Sequence, residues 1–498
     1  MLNWKSLCDS LDVAPLVPEE FAGYRGPIAD ALSFFLERLS PTRQSQILAD
    51  QLTLPVDASV QLRLVAVARQ SPILHKVGQL LARDRRLPAD LRKLLQGLES
   101  AAPTMSCQDA RVLVQQELGD LDRLGIAIDE EPLAEASMAV VIPFVHRDSD
   151  RAEPGVLKLL KPEIEKRLVE ELAILDLVGE FLDSQCQQYG IPEIDYADLF
   201  AQVRQLLGNE VDLTNERKHI EAAREVYADW SAVIVPELFP FYSSRLIAME
   251  RVEGEKITDF VGRSSVDQRR VASRMVDALI ACPIWSEQED AIFHADPHAG
   301  NLLVTEDRKL VLLDWGLAGT LSKQNRISVT QILIGALTLD QRSIVAAISD
   351  LADGRFNESE LATVVRDAVR RVRRGTFPSL VWLTSLMDDA VTRAGVSFSS
   401  DLLLFRKSLL ILDGVIQDVW EDCSTSTALA ASFAFRLGSD WRGRLLASPM
   451  ARSSRTHLSN IDLWRLLTAG PATSVRFWRG HAEDWLEGSA KSKQIAID

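Results

Sequence analysis

The chain has 498 residues, a length that predicts about two to four domains because single domains usually contain about 100–200 residues. Apolar residues make up 47% of the chain and charged residues 25%, which is typical of soluble globular protein and excludes a wholly disordered chain. The net charge of −16 argues against sequence-independent binding of nucleic acid, since that binding needs a basic surface.

The five cysteines lie far apart and form no CxxC pair. This spacing excludes a disulfide scaffold and a Cys-rich zinc site, and it favours a reducing compartment. The first residues lack the basic segment and the apolar segment of a signal peptide. No run of about 18 uncharged apolar residues occurs, so the sequence predicts no transmembrane helix. We therefore expect a cytoplasmic protein.

Helices are predicted for the beginning of the chain, and a hairpin follows them. In Ala31–Leu39 and Leu91–Leu98, apolar residues recur three and four positions apart, as on the buried face of a helix. Met138–Val145 and Gly155–Leu160 are predicted as strands. The polar segment His146–Gly155 is predicted as the turn between them.

The rest of the chain is predicted to be mostly helical. Helices and strands mix up to about residue 257, and one patch of strand-like sequence interrupts the helical part that follows. The predicted elements are the helices Pro162–Leu182 and Tyr196–Ala228, the strands Ser231–Val235 and Arg245–Val252, and, within the patch Ala291–Leu317, the short strands Leu302–Val304 and Leu310–Leu313.

These changes of pattern divide the chain into four predicted regions. Residues 1–125 form a helical N-terminal extension, 126–255 a small lobe that contains strands, 256–435 a larger helical lobe, and 436–498 a helical tail rich in Arg and Trp. No internal repeat and no low-complexity segment occurs.

The strand-like patch contains two carboxylates and an amide at spacings that suggest a catalytic site. Asp296 precedes Asn301 by five residues, and Asp314 follows Asn301 by thirteen, at the end of an apolar run. Phosphoryl-transfer sites of the protein-kinase type need one Asp that orients or deprotonates the attacking group, and an Asn and a second Asp that bind Mg²⁺ against the phosphates. The alternative is that these residues only cap the turns of a hairpin.

Such a site also needs a cation for the phosphates and a carboxylate that holds it. Lys158 lies inside an apolar strand, where a lone lysine is costly to bury without a partner. The alternative is a half-exposed strand from which Lys158 points to solvent. Glu216 is our predicted partner for Lys158, with Glu210 and Asp212 as competitors.

The segment Ala248–Gly254 lies between a predicted strand and a predicted helix, as an interlobe hinge would. Backbone groups near Glu250 and Val252 are predicted to contact an adenine, and a plain turn is the alternative. No GxGxxG and no GxxxxGK[ST] occurs anywhere in the chain. Pro132–Ala139 occupies the place of a glycine-rich lid, and alanine disfavours the positive-φ turns of such a lid. Phosphates would therefore be held differently.

The chain resembles the UbiB/AarF family of atypical protein-kinase-like proteins. Five segments carry the resemblance, in the order of the family and between about residues 70 and 420. They are Lys76–Gln79 (the family's KxGQ), Ala134–Ser137 (its alanine-rich loop), Val156–Lys158 (its VAVK strand), Glu210–Glu216 (its ELDFxxE) and His294–Asn301 with Asp314–Gly316 (its HADPHPGN…DFG).

The resemblance implies an α+β, two-lobed protein-kinase-like fold with a small β-containing N-lobe, a larger helical C-lobe, a helical N-terminal extension and a helical tail. It also implies a role for each matching residue. Lys158 and Glu216 form the ion pair on the phosphates, Asp296 takes the catalytic position, and Asn301 and Asp314 bind Mg²⁺. The residues implied to contact ATP or ADP are Lys76, Gln79, Ala134, Ala136, Ser137, Lys158, Glu250 and Val252.

Several positions depart from the family's pattern. Glu135 puts a carboxylate into the alanine-rich loop, where it would weaken the binding of phosphates unless it points away. The other departures, none of which removes the lysine or a metal ligand, are Val140, Ile142, Arg217, Ala299 and Trp315.

The tail is basic although the chain is acidic. Residues 436–479 contain eight Arg and two Asp, with Trp441, Trp464 and Trp478 among them. Arg and Trp on amphipathic helices suit the headgroup layer of an anionic membrane. Helices packed on the larger lobe, with their Trp in its core, are the alternative.

The sequence thus predicts an atypical kinase-like enzyme that binds ATP or ADP with Mg²⁺ and hydrolyses ATP slowly. By the resemblance, the activity serves isoprenoid-lipid metabolism of the ubiquinone type, with an isoprenoid lipid or quinone precursor, biosynthetic enzymes and an anionic membrane as expected partners. Two alternatives stay open: a phosphotransferase acting on a small molecule or lipid, and a nucleotide-gated scaffold or pseudokinase without turnover.

Overall fold

The structure is a computed structural model, and most of the chain between residues 16 and 439 is described. The described ranges are 16–81, 87–98, 105–128, 130–135, 138–148, 151–191, 211–262, 264–420 and 425–439, with single residues or short pieces elsewhere up to 477. The chain divides into two compact units. Unit 1 comprises Met1–Glu225, Val235–Glu253 and Leu312–Leu317, and unit 2 comprises Val226–Ile234, Gly254–Val311 and Ala318–Asp498.

In the part of unit 1 that the structure describes, a short 3₁₀ helix Glu19–Tyr24 and six α-helices come first, and an antiparallel sheet with two further helices follows. The helices are α1 Arg25–Arg38, α2 Pro41–Thr53, α3 Val60–Gln70, α4 Pro72–Leu81, α5 Ala89–Gln96, α6 Cys107–Leu118, α7 Ile164–Tyr189 and α8 Leu213–Tyr227. The strands are β1 Ile126–Ala127, β2 Ala134–Glu135, β3 Ala139–Asp148, β4 Arg151–Leu160, β6 Leu238–Tyr242 and β7 Leu246–Glu250. The sheet order is β1-β3-β4-β7-β6, and β2 pairs with β3 as well.

One face of this sheet forms a hydrophobic core with α6. Val140 and Ile142 of β3, Leu157 and Leu159 of β4, and Leu246 of β7 are all fully or almost fully buried. Successive residues of a strand point to opposite faces, so Lys158 lies on the face opposite to this core. β4 is the central strand of the sheet, and Lys158 pairs there with Val141 on one side and Ile247 on the other.

Unit 2 contains two small sheets that carry the predicted catalytic patch. The strands β5 Val233–Ile234, β8 Glu255–Lys256, β10 Leu302–Val304 and β11 Leu310–Leu312 form one sheet in the order β5-β11-β10-β8. The strands β9 Asp290–His294 and β12 Ala318–Ser322 form a second, antiparallel pair.

Helices make up most of the remainder of unit 2. They are α9 Ser265–Val276, with a π-helical turn Asp277–Ala281 and a short turn Cys282–Ile284 after it, α10 Lys323–Leu337, α11 Gln341–Leu351, α12 Glu358–Arg373, α13 Leu380–Ala394, α14 Ser400–Val419 and α15 Thr425–Ser439. A third, short strand pair consists of β13 Ala352–Asp353 and β14 Ser397–Phe398. Helix α12 buries Leu361, Val364, Val365 and Ala368, the three-and-four spacing of an amphipathic helix.

The mixed α+β class is confirmed, and several element boundaries differ from the prediction. The hairpin strands run on to Asp148 and resume at Arg151, so the predicted turn His146–Gly155 is mostly strand. The residues of this extension are polar because they are largely exposed. Strand β6 was not predicted, since Pro240 lowers the strand signal, yet β6 is an edge strand and an edge tolerates proline.

The division into four regions stays a prediction. None of the helices in the described part of the chain combines the length and apolar character needed to cross a membrane.

Candidate functional site

A cluster of one ammonium and two carboxylates lies in unit 1. The Lys158 Nζ donates hydrogen bonds to Glu216 Oε1 at 2.9 Å, to Glu216 Oε2 at 2.8 Å and to Asp314 Oδ1 at 2.8 Å. The side chain of Lys158 is 13% exposed and that of Glu216 is 2% exposed, whereas that of Asp314 is 39% exposed. The structure therefore brings together three of the residues that the sequence singled out, and Lys158 does not point freely to solvent.

Neither Asp212 nor Glu210, the two alternative partners for Lys158, is described in contact with this lysine. Asp212 caps the start of α8, where its Oδ1 accepts hydrogen bonds from the Thr214 backbone at 3.0 Å and from the Thr214 hydroxyl at 2.6 Å. Glu210 lies outside the described residues. Glu216 is one helical turn beyond this cap and buried, so α8 places its carboxylate against the β4 lysine.

The electrostatics of the cluster follow from two carboxylates sharing one cation. Burial alone would lower the pKa of Lys158, but the charges of Asp314 and Glu216 outweigh it and raise that pKa, so the ammonium stays protonated. Burial raises the pKa of Glu216 to about 7, although Lys158 opposes this rise and Asp314 adds to it. With both carboxylates ionised, the cluster carries one excess negative charge, which suits the later arrival of a cation.

The segment Asp314–Gly316 is held in an uncommon backbone conformation. Asp314 has φ +52°, in the left-handed region that few non-glycine residues adopt. Its Oδ1 accepts the N–H of Gly316 at 3.2 Å, and a Cβ on Gly316 would meet that oxygen at 3.1 Å. The buried Trp315 donates from Nε1 to the Leu312 carbonyl, and His219 Nδ1 donates to the Trp315 carbonyl at 2.9 Å. Trp315 is thus accommodated where the family pattern has Phe.

A second group of predicted residues lies in unit 2, in the loop after β9. The backbone carbonyl of Asp296 accepts the His298 N–H at 2.8 Å and the Asn301 side-chain amide at 3.0 Å. Asn301 is 6% exposed, and its amide nitrogen is used in this bond, which leaves Oδ1 as its possible metal ligand. These are the turn hydrogen bonds that we expected if the residues only cap the turns of a hairpin. The same bonds also fix the positions of Asp296 and Asn301 in the loop.

Lys407 lies beside this loop, and the sequence did not predict it as a functional residue. Its Nζ lies 3.4 Å from Asp296 Oδ1. Lys407 belongs to α14, far along the chain from Asp296, and in the sequence it only interrupts an apolar run. A charged residue in an otherwise apolar helix was the signal that could have marked it.

The oxygen atoms of Asp314 and Asn301 are of the type that Mg²⁺ prefers. Asp314 contacts Lys158 in unit 1, and Asn301 lies in the loop of unit 2. Among the described residues, no group of three or more His, Cys, Asp or Glu side chains is arranged to hold a metal. Mg²⁺ in proteins takes one or two carboxylates and completes its coordination with water and phosphate oxygens, and the oxygen atoms of each of these residues are of a suitable kind.

Helix α4, which carries Lys76 and Gln79, is anchored at its start. The Glu171 carboxylate of α7 accepts the Ile73 N–H at 3.0 Å and the Ser71 hydroxyl at 2.7 Å, and Arg43 donates to it at 2.6 Å. Lys76 is half-buried. The Gln79 side chain lies outside the described residues, so its prediction stays open.

The residues predicted to border the nucleotide are only partly described. Ala134 pairs with Val141 as part of β2 and is exposed, whereas Ala136, Ser137 and the side chain of Glu135 lie outside the described residues.

At the predicted hinge, Glu250 is the last residue of β7 rather than the start of a connection. Its N–H donates to the Glu237 carbonyl at 2.7 Å, and the Arg251 N–H donates to the Pro154 carbonyl at 3.3 Å. The Glu250 N–H is therefore used within the sheet, and the contacts of Glu250 and Val252 with an adenine stay a prediction.

Residues 97–348, half of the chain, match the ABC1 atypical kinase-like domain. The chain belongs to the ABC1 (UbiB) family of atypical kinase-like proteins. The probable protein kinase UbiB of Marinobacter nauticus is 23% identical to this ABC1 protein over 457 residues, which cover 88% of this chain and 76% of that protein. The resemblance to the UbiB/AarF family and the kinase-like fold class are thereby confirmed.

A plant relative and a solved structure are also similar to this ABC1 chain. The chloroplastic protein ACTIVITY OF BC1 COMPLEX KINASE 3 of Arabidopsis thaliana is 28% identical over 290 residues, which cover 57% of this chain and 40% of that protein. A Mycobacterium tuberculosis chain, solved in the Rv3197–erythromycin complex, is 17% identical with a TM-score of 0.48, covering 76% of this chain and 95% of that chain.

The Arg- and Trp-rich tail of this ABC1 protein is described only in pieces. Trp464 is 68% exposed, which differs from a tryptophan packed in a core, while Trp441 and Trp478 lie outside the described residues. Two tail arginines pair with nearby acids: Arg476 with Asp340 at 3.0 Å, and Arg452 with Asp462 at 2.9 Å.

Proposed function

We propose that this ABC1 protein binds ATP or ADP with Mg²⁺ and hydrolyses ATP slowly, in support of isoprenoid-lipid metabolism of the ubiquinone type. The observation that carries the proposal is the Lys158 ammonium, which a buried glutamate and a more exposed aspartate hold on the face of the sheet opposite to the core. An ammonium held in this way is a ready partner for the phosphates of a nucleotide.

Each residue of the proposed site has one task. Lys158 binds the phosphates and Glu216 keeps its ammonium in place. Asp314 and Asn301 would hold Mg²⁺, which would supply neutralisation of the phosphate charge. Asp296 orients the attacking water, since phosphoryl transfer depends more on positioning and electrostatics than on covalent chemistry by the protein. We also propose Lys76 and Gln79, two residues of α4, as further contacts of the nucleotide.

A nucleotide-gated scaffold without turnover is the second candidate, and one observation favours it. The three bonds from Lys158 Nζ to Glu216 and Asp314 employ all three of its N–H donors. A phosphate that binds Lys158 must therefore displace a carboxylate oxygen, and Asp314 is the more exposed one. Such an exchange would couple nucleotide binding to a change at Asp314 even without hydrolysis.

The test is Mg²⁺-dependent nucleotide binding and ATP consumption by the full chain, with Asp314→Asn and Lys158→Met beside the wild type. We expect Lys158→Met to lose nucleotide binding and Asp314→Asn to lose Mg²⁺-dependent turnover. Lys166→Met is the matched control, because Lys166 is 82% exposed on α7 of the same unit. Lys76→Ala in the same assay tests the contact proposed for α4.

The outcomes separate the candidates. Binding of nucleotide without turnover under any condition would favour the gated scaffold. Phosphate transfer that appears only with an added hydroxyl-bearing lipid or small molecule would favour a phosphotransferase. Stimulation by anionic vesicles but not by neutral vesicles would support contact of the tail with a membrane.

A further inference from the structure

The carboxylate of Asp296 has a lysine beside it that comes from a distant helix. Lys407 Nζ lies 3.4 Å from Asp296 Oδ1, and the two side chains are 24% and 13% exposed. His298 Nε2 lies 3.9 Å from the other oxygen, Asp296 Oδ2. His298 Nδ1 accepts the Gly300 N–H at 3.0 Å, so this nitrogen is engaged with the backbone of its own loop. Lys407 lies closer to the Asp296 carboxylate than His298 does, and it comes from a distant part of the chain.

The position of Lys407 is set by other contacts of α14 within unit 2. Near the start of the helix, Asp401 Oδ1 accepts the Thr320 N–H at 3.1 Å. Thr320 lies on β12, and it pairs with Ile292 of β9. Two residues before Lys407, the Phe405 ring packs edge-on against Phe293 of β9, with ring centroids 5.2 Å apart. Both contacts join α14 to the pair of strands β9 and β12, and Asp296 follows directly after β9. The packing of α14 on these strands therefore fixes the position of Lys407 beside the loop.

A cation at this place has a physical reason in phosphoryl transfer. ATP has one phosphate more than ADP, and the proposed function brings this γ-phosphate, with its negative charge, near Asp296. An uncompensated carboxylate would repel that phosphate, because like charges a few ångströms apart at a partly buried place are only weakly screened by water and salt. A lysine on the carboxylate removes most of this repulsion and also restricts the rotation of the Asp296 side chain.

We propose that Lys407 is a positioning residue for Asp296: it balances the charge of this carboxylate and fixes its orientation, so that the γ-phosphate of ATP can approach. The inference rests on the proposed function, because it takes Asp296 as the residue beside the γ-phosphate. It assigns a specific consequence to Lys407, a preference for ATP over ADP, that a purely structural ion pair would not have.

The test compares equilibrium binding of Mg²⁺ with ADP and of Mg²⁺ with the β,γ-imido analogue of ATP, which is not hydrolysed. The full chain is measured as wild type, Lys407→Met, Lys407→Arg and the double variant Lys407→Met/Asp296→Asn. We expect Lys407→Met to bind the ATP analogue about tenfold more weakly while ADP binding changes less than about twofold. Lys407→Arg and the double variant should restore most of the affinity for the analogue, since one restores the cation and the other removes the charge that needs it.

Arg406→Met is the matched control, because Arg406 precedes Lys407 on the same helix but pairs with Asp388. Thermal unfolding of each variant identifies any loss of fold. Equal weakening of both nucleotides in Lys407→Met, or no recovery in the double variant, would overturn the inference. If binding depends on Lys158 but the preference for the ATP analogue is unchanged in Lys407→Met, this inference fails alone. A wild-type chain that binds neither nucleotide overturns the proposed function and this inference together.

Discussion

Unit 1 and unit 2 each pair a lysine with an aspartate, and they do so in different ways. In unit 1, Lys158 makes three bonds of 2.8–2.9 Å to two carboxylates, one of them almost fully buried. In unit 2, Lys407 lies at 3.4 Å from the single carboxylate of Asp296, and both groups keep some exposure. In the first cluster two carboxylates share one ammonium, and in the second one ammonium faces one carboxylate.

This difference implies that the Lys158 cluster can bind an added ion, whereas the Lys407–Asp296 pair can only orient a carboxylate. A buried cluster with an excess carboxylate is stabilised by an added cation, and under the proposed function a phosphate that binds Lys158 displaces one carboxylate oxygen. A balanced, partly exposed pair has little tendency to bind an ion by itself, and its effect is to hold one carboxylate in one orientation. The predictions below test this contrast, and they run from the largest expected effect to the smallest.

Replacing Lys158 by Met should have the largest effect on stability. Removing one partner of a buried ion pair leaves an uncompensated charge, so we expect a loss of about 3–5 kcal/mol in the free energy of unfolding, measured by urea denaturation. Lys166→Met, at an exposed site of α7, should change it by less than about 0.5 kcal/mol. Similar values for the two variants would mean that the cluster is solvated and that the contrast between the units is wrong.

Replacing Glu216 by Gln should change the pH dependence of stability. The folded chain raises the pKa of Glu216 from 4.5 to about 7, so its ionised form is the costlier one in the fold. The stability that this group contributes is present below about pH 4.5 and is lost as the pH rises through about 7. Glu216→Gln removes this loss, so relative to the wild type the variant should gain on the order of 3 kcal/mol between pH 4.5 and pH 8.

The control for Glu216→Gln is Glu221→Gln on the same helix, where the glutamate is 51% exposed. Urea denaturation at pH 4.5, 6 and 8 measures all three chains. If the wild type and Glu216→Gln have parallel pH profiles, Glu216 does not titrate between pH 4.5 and pH 8, and burial does not raise its pKa as we infer.

The sequence predicted the first cluster far better than the second, for a local reason. An isolated lysine between Leu157 and Leu159 stands out within a few residues of chain, and Asp314 also ends an apolar run. The pairing of Lys407 with Asp296 instead depends on how α14 packs on β9 and β12, which no short pattern encodes. Strand β6 was missed for a related reason, since Pro240 is tolerated only because β6 lies at the edge of the sheet.

Replacing Phe405 by Leu tests whether the contact between Phe405 and Phe293 positions Lys407. The variant loses the edge-on contact with Phe293, which is worth about 0.5–1.5 kcal/mol beyond the area that it buries. We therefore expect a loss of about 1 kcal/mol in the free energy of unfolding and a partial loss of the preference for the ATP analogue. Phe435→Leu, at a site that is 78% exposed on α15, should change neither. An unaltered preference in Phe405→Leu would mean that the ring contact does not set the position of Lys407.

Replacing Arg406 by Met should have the smallest effect. The Arg406 Nη2 donates to Asp388 Oδ2 at 2.5 Å, but the two side chains are 30% and 45% exposed, so water screens the pair. Such surface ion pairs contribute about 0.2–1 kcal/mol, and we expect a loss within this range in urea denaturation at low salt and a smaller loss at about 0.5 M salt. Nucleotide preference should stay that of the wild type. If Arg406→Met instead weakened the binding of the ATP analogue as much as Lys407→Met does, the cause would be the total positive charge of α14. The pairing of Lys407 with Asp296 would then not explain the preference for ATP.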